Sequence, residues 1–209
     1  AYRTHRSGGS EWLHPYLRRF DQAVLEGQAV YRSCVQLREE GWVPDWIINH
    51  VGFGVGFYIR DAFPSSRRIG LFEWFYNAED SDVDFLNRGP VEPDRRLRLR
   101  TWNAQTLLEL ADVDFAVTPT SWQQKQFPRW MRDRLKVIHE GIDCDVLKRL
   151  STLTKNGWPG LPANAEVVTY VSRGFEEYRG FPQAIQVICR LQQQRPNLHV
   201  LLAGHDGTA

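Results

Sequence analysis

The chain has 209 residues, 42% hydrophobic and 24% charged, which is the balance of a globular protein with room for one large domain or parts of two. A formal net charge of +1 gives no global attraction to nucleic acid or to an acidic membrane, and no apolar run approaches the roughly 20 residues that span a bilayer. Cys34, Cys144 and Cys189 are widely spaced, with no CxxC or Cys/His cluster, which argues against a disulfide framework or a zinc site and fits a reducing cytoplasm.

Residues 1–10 are polar and glycine-rich and read as a loose end. From Leu13 to Glu40, Leu17, Phe20, Val24, Ala29 and Leu37 recur at helical spacing; Gly27 is expected to kink or split that helix, and Gly41 to end it. Trp46-Ile47-Ile48-Asn49-His50 has the β-branched, aromatic character of a short strand. Gly52, Gly54 and Gly56 follow, then a short helix over Phe57–Asp61. Without a GxGxxG pattern or a P-loop lysine, this glycine run reads first as a tight turn with close backbone approach, and only loosely as a phosphate loop.

Arg68–Glu73 reads as the next strand, extended by Trp74-Phe75-Tyr76 into an aromatic cluster suited to core packing or to a sugar platform. Asn77–Asp94 is acidic and has no period, so it reads as a long loop. Leu97–Leu110 reads as a helix with Leu97, Thr101, Ala104, Leu108 and Ala111 along one face. Asp114–Val117 reads as a strand, Thr118-Pro119 as the N-cap and first-turn proline of a helix over Thr120–Phe127, and Arg134–Ile138 as another strand.

The alternation breaks between about 145 and 165, where Asn156-Gly157 and Pro159-Gly160 are turn chemistry. This stretch is expected to link a first α/β domain, 1–144, to a second that begins at 166 and is present only as its first unit, 166–209. In that unit, Glu166–Val171 reads as a strand, Ser172–Gly180 as a loop, Pro182–Leu191 as a helix and Leu198–Ala203 as a second strand. Such a βαβ unit predicts parallel strands, with ligands at their carboxyl ends. The loop places Arg173, Arg179 and Gly180 there, beside a helix N-terminus. That is a setting for a diphosphate, whose oxygens suit guanidinium forks. Solvated arginines paired with Glu176 and Glu177 are the other reading of the same residues. The chain opens without Met and stops just after a strand, so it is read as an excerpt of a longer protein, and no secretory signal opens it.

Three stretches carry a family resemblance. Val137-Ile138-His139-Glu140-Gly141-Ile142-Asp143 is similar to the V-I-P-N-G-V-D run that closes the acceptor domain of family-4-type retaining glycosyltransferases. Tyr170-Val171-Ser172-Arg173, leading on to Gly180, resembles the "G-R … K-G" loop that opens their donor domain. Pro196–Gly204 resembles the strand after it. Pro44–Ile48, Glu73 with its aromatics, and Thr118–Gln123 resemble a bacterial subgroup of the same family.

The resemblance implies the GT-B architecture, two Rossmann-like α/β domains with parallel sheets facing a cleft. It also implies transfer of a sugar, with retention, from a nucleotide-diphosphate sugar to a glycan, lipid-linked or small-molecule acceptor. Arg173 takes the place of the family's arginine and Arg179 that of its lysine, with Gly180 completing the diphosphate contact. Ser172 replaces a glycine, and His139-Glu140 replaces Pro-Asn. The family's donor-domain glutamate pair has no counterpart in this sequence, so the catalytic residues are left unassigned and the excerpt is expected to be inactive alone.

His50, Gly52, Glu73, Glu140 and Gly141 are candidate contacts to sugar or acceptor, against structural readings as a packed histidine, a turn, a solvated strand end and a hinge. No metal site and no cofactor beyond the donor substrate are expected. Asp80-Ser81-Asp82 and Asp82-Val83-Asp84 have the bare Asp-x-Asp spacing but read as solvated loop. The full protein is expected in the cytoplasm or peripherally at a membrane. Two alternatives stand beside this reading: a sugar-nucleotide epimerase or phosphorylase of similar architecture, and a non-catalytic nucleotide- or partner-binding α/β module.

Overall fold

The computed structural model describes residues 3, 8–86, 89–148, 160–162 and 164–206. The chain divides into two compact units, residues 1–141 and 142–209. Residues 149–159 and 163, within the expected linker of 145–165, lie outside the described residues.

The first unit is built on four parallel strands in the order β1-β2-β3-β4: Trp46–His50, Arg67–Leu71, Phe115–Thr118 and Leu135–Val137. Helix α1 (Arg18–Glu39) precedes them, after a 3-10 turn at Pro15–Leu17. The short α2 (Ile59–Ala62) lies between β1 and β2, the long α3 (Pro93–Asp112) between β2 and β3, and α4 (Ser121–Gln126) and α5 (Arg129–Arg132) between β3 and β4. This is the α/β alternation that the sequence predicts, with one extra helical turn, α5, that its pattern does not announce.

One face of the sheet carries the core. Val51, Phe72, Phe75, Leu110, Val113, Ala116, Phe127, Met131 and Leu135 form one buried cluster. The Phe127 ring lies 6.2 Å from Phe72 and 5.3 Å from Phe75. The other face presents Trp46, Ile48 and Phe115, each exposed.

Four expectations change among the elements of the first unit. Gly27 does not kink α1, which runs unbroken. A Cβ on Gly27 would sit 2.6 Å from the Gly54 carbonyl, so the glycine is there to let the β1–α2 loop lie against the helix. On α3 the buried side is Leu99, Asn103, Thr106, Glu109 and Leu110, whereas Leu97 and Leu108 are exposed. The apolar stripe through Leu97 and Leu108 points outward, because polar side chains of α3 are used inward to hold loops. Thr118 ends β3 and is fully buried; Thr120 caps α4 instead, its hydroxyl accepting from Gln123 N at 3.2 Å. Strand β2 stops at Leu71, so Glu73 and the aromatics after it lie beyond the strand.

The second unit pairs β5 (Glu166–Gly174) with β6 (Leu198–His205) in parallel, around α6 (Phe181–Gln194). The strand β5 runs on through Ser172 and Arg173, which were expected in the loop, with an irregularity in pairing between Val171 and Gly174. An irregularity of this kind re-aims the side chains it carries. Phe175 and Phe181 stack at 4.6 Å, with Tyr170 5.4 Å from Phe181, and so tie the loop to the helix start.

Candidate functional site

At the carboxyl ends of β1 and β2 the first unit holds a cavity of about 330 Å³, near the lower limit for small-molecule pockets. The place is the one expected of an open parallel sheet. It brings together His50, Gly52 and Glu73, three of the residues singled out from the sequence, and adds Arg19, Phe53, Trp74, Tyr76, Asp82, Gln105 and Thr106.

The loop after β1 is fixed by backbone contacts that only glycine permits. Gly54 has φ +84°, and a Cβ there would collide with the Ala23 main chain of α1. At Gly56 a Cβ would collide with the Glu109 carboxylate of α3. Glu109 is 1% exposed; it accepts from Gly52 N at 3.0 Å and from Asn49 Nδ2 at 2.7 Å. Burial pushes its carboxyl above the usual carboxylate range, opposed by those hydrogen bonds and by Arg68.

Arg68 of β2 is fully buried, bonded to Gly56 O at 2.8 Å, to Asn49 Oδ1 at 3.2 Å and to the Asp112 carboxylate. Burial pulls its guanidinium below the ordinary value, against the attraction of Asp112 and Glu109. Arg68 Nε is buried without a partner, but the bonds of its other guanidinium nitrogens and of Glu109 hold one arrangement of the loop. The glycine run is therefore a packing device, as its close-approach reading has it.

On this base, His50 Nε2 donates to Glu73 Oε2 at 2.8 Å, with the two side chains 38% and 45% exposed. The ring's other nitrogen, Nδ1, is buried without a partner, and the ring lies 5.1 Å from Phe53. The carboxylate thus fixes the tautomer and turns the imidazole. Gly52 has φ +99°, and a Cβ there would meet only Thr106 Oγ1, at 4.0 Å.

The far wall is carried by α1 and α3. Arg19 donates to the Tyr76 hydroxyl at 2.9 Å and lies 4.5 Å from the Trp102 ring centre. Asn103 brackets the Tyr76 backbone, accepting from its N at 2.8 Å and donating to its O at 2.8 Å. Gln105 donates to Arg19 O at 2.7 Å. Trp74 packs against Trp122, ring centres 6.0 Å apart, and lines the cavity, while Phe75 is core.

Arg19, Asn103, Thr106 and Glu109 escape the sequence reading, and Asp82 is read there only as part of a solvated loop. The signal for three of them was the spacing of polar residues at 103, 106 and 109 along one side of a helix.

Glu140 and Gly141 line none of this cavity. Gly141 has φ +78° and donates to His139 Nδ1 at 3.0 Å, a local turn in which Glu140 is exposed. In the second unit, Arg173 is exposed near the end of β5, and Arg179 Nε donates to Glu176 Oε1 at 3.3 Å. The pairing expected of a loop arginine is therefore present at Arg179. Gly180, with φ +71°, is the N-cap of α6 without a side-chain cap, and nothing lies within 4 Å of where its Cβ would be. Of the first amides of α6, Phe181 N donates to Glu176 O at 3.3 Å and Pro182 has no N–H, which leaves the Gln183 N–H for an anion's oxygens. Among the described residues no three His, Cys, Asp or Glu cluster as a metal site, and no helix is long and apolar enough to cross a membrane.

The sequence profile of the glycosyl transferase family 4 group matches residues 1–147, the whole of the first unit and the cavity within it. The chain belongs to that family. Its general activity is glycosyl transfer, and the parallel α/β sheets agree with a Rossmann-like glycosyltransferase fold. No curated protein matches the chain. For a family 4 transferase, a cavity with hydrogen-bonding carboxylate and imidazole groups beside exposed aromatic edges has the chemistry to hold a sugar.

Proposed function

We propose that the chain is part of an enzyme that transfers a sugar, with retention, from a nucleotide-diphosphate sugar to a glycan, lipid-linked or small-molecule acceptor. The observation that carries the reading is the His50–Glu73 pair over Gly52, in a cavity at the carboxyl ends of β1 and β2 inside the family-matched region. His50 and Glu73 contact the sugar or acceptor: the imidazole is oriented by the carboxylate, and both keep exposed atoms for a ligand. Gly52 leaves room for the ring beside them.

In the second unit, Arg173, Arg179 and the helix start at Gly180 hold the diphosphate. As the bond to the sugar breaks, negative charge grows on the departing diphosphate, and fixed cations and the helix start stabilise it there. A phosphate would compete with Glu176 for Arg179, exchanging one charge-assisted hydrogen bond for another. Glu140 and Gly141 belong to this reading as acceptor or sugar contacts made by an exposed turn. No metal and no further cofactor enter the scheme.

The test is the complete enzyme with a panel of nucleotide-diphosphate sugars, the product's anomeric configuration being read by NMR, with and without EDTA. Transfer with retention that persists in EDTA is expected. Inversion, or loss of activity on chelation that added metal restores, would sink the corresponding part of the proposal. Binding without turnover on any donor would favour the non-catalytic module.

A further inference from the structure

The acidic stretch between β2 and α3 looks solvated in sequence, yet its middle is pinned. The Asp84 carboxylate accepts from Asp80 N at 2.9 Å and Ser81 N at 3.0 Å. Ser81 Oγ donates to Asn77 O at 2.9 Å and accepts from Val83 N at 3.2 Å, and the Val83 side chain is buried. Asp80 takes a positive φ of 52° to make the turn, a left-handed conformation that aspartate tolerates better than most side chains.

This fold of the loop carries Asp82 into the wall of the cavity that holds His50 and Glu73. Its Oδ1 is buried with no hydrogen-bond partner, which in a native wall calls for an explanation. Burial also pushes the Asp82 carboxyl above its usual range, opposed first by hydrogen bonds from its own and the Val83 backbone N–H and then by the charge of Arg95.

We infer that Asp82 is a specificity-determining residue of this cavity, accepting hydrogen bonds from the hydroxyls of an uncharged sugar ring and excluding an anionic one. The inference rests on the proposed role of the cavity as an acceptor pocket. The wall offers acceptors at Glu73 and Asp82, donors at Arg19 and Thr106, and apolar surface at Phe53 and Trp74. Hydroxyl groups both donate and accept, so a neutral sugar can satisfy both sets. A sugar carboxylate beside two protein carboxylates meets like-charge repulsion and leaves the acceptors without donors.

The experiment is a saturation-transfer NMR titration of the 209-residue chain with methyl glucoside, galactoside and mannoside against methyl glucuronide. At least one neutral glycoside is expected to bind about 10-fold tighter than the glucuronide, the scale of one charge-assisted hydrogen bond lost. Asp82→Asn narrows that ratio without moving the melting temperature. Asp84→Asn, which loosens the loop, weakens both ligands together and preserves the ratio. If Asp82→Asn leaves the ratio unchanged, or weakens all ligands equally, the inference fails and the acceptor pocket stands. If the unsubstituted chain binds no glycoside at all, the acceptor-pocket reading itself is overturned, and this inference with it.

Discussion

Gly54 shows how much of the cavity depends on single atoms. With φ +84° and the Ala23 main chain where a Cβ would go, it meets both conditions that exclude a side chain. Gly54→Ala is expected to destabilise the protein by about 2–5 kcal/mol, strain and overpacking combined, as read by urea denaturation. At the exposed turn of Gly41 after α1, alanine meets no atom within 4 Å, so Gly41→Ala retains only the backbone strain of φ +86° and costs about 1 kcal/mol. A similar cost at both positions would show that packing against α1 is not what fixes Gly54. The spacing of Gly52, Gly54 and Gly56 made close approach legible in the sequence. That the partners are Ala23 and Glu109 was not, because these are tertiary neighbours with no local signature.

Among elements, the register of β2 against α3 and β3 is clamped by charge. Asp114 Oδ2 accepts from Arg68 N at 2.7 Å and from Arg60 at 2.9 Å, and Arg60 also donates to Asp112 O at 2.8 Å. The hydrogen bond from Arg68 N, then that from Arg60, holds the Asp114 carboxyl below the usual range. A carboxyl depressed in the folded state adds stability that is full above the unfolded value of about 3.9 and is lost as pH falls through the lower folded value. Asp114→Asn should therefore flatten the fall in melting temperature below about pH 4, and an unchanged acid profile would refute the assignment.

The order of strands and helices was legible here, because β-branched runs and helical periods survive whatever tertiary contacts follow. The inner face of α3 was not. Leu97 and Leu108 marked an apolar stripe that is exposed, while Asn103, Thr106 and Glu109 turn inward to serve the backbone of loops. A helix that satisfies loop amides is polar on its buried side, and hydrophobic periodicity reads such a helix inside out.

For the whole molecule, the two compact units carry separate parts of the proposed chemistry, sugar contacts in residues 1–141 and diphosphate contacts in the second unit. Arg179→Ala in the complete enzyme should weaken donor binding about 10- to 100-fold, the worth of a charged hydrogen bond. It should leave glycoside binding at the His50 cavity unchanged. Equal loss of both would mean that Arg179 supports the fold rather than the donor. The motifs quoted for the first unit lie within the family-matched residues, whereas Arg173, Arg179 and Gly180 lie beyond residue 147.

The Asn103 bracket on Tyr76 has a consequence on the timescale of hydrogen exchange. The Tyr76 amide lies outside every strand, yet a side-chain carboxamide holds both its N–H and its C=O as a neighbouring peptide would. It should exchange with deuterium as slowly as a ladder amide of β2, an isolated slow site in a stretch of fast ones. Asn103→Ala should release that one amide while the β2 amides keep their rates. The Tyr76 amide would then serve as a clock for how often the cavity wall comes unseated.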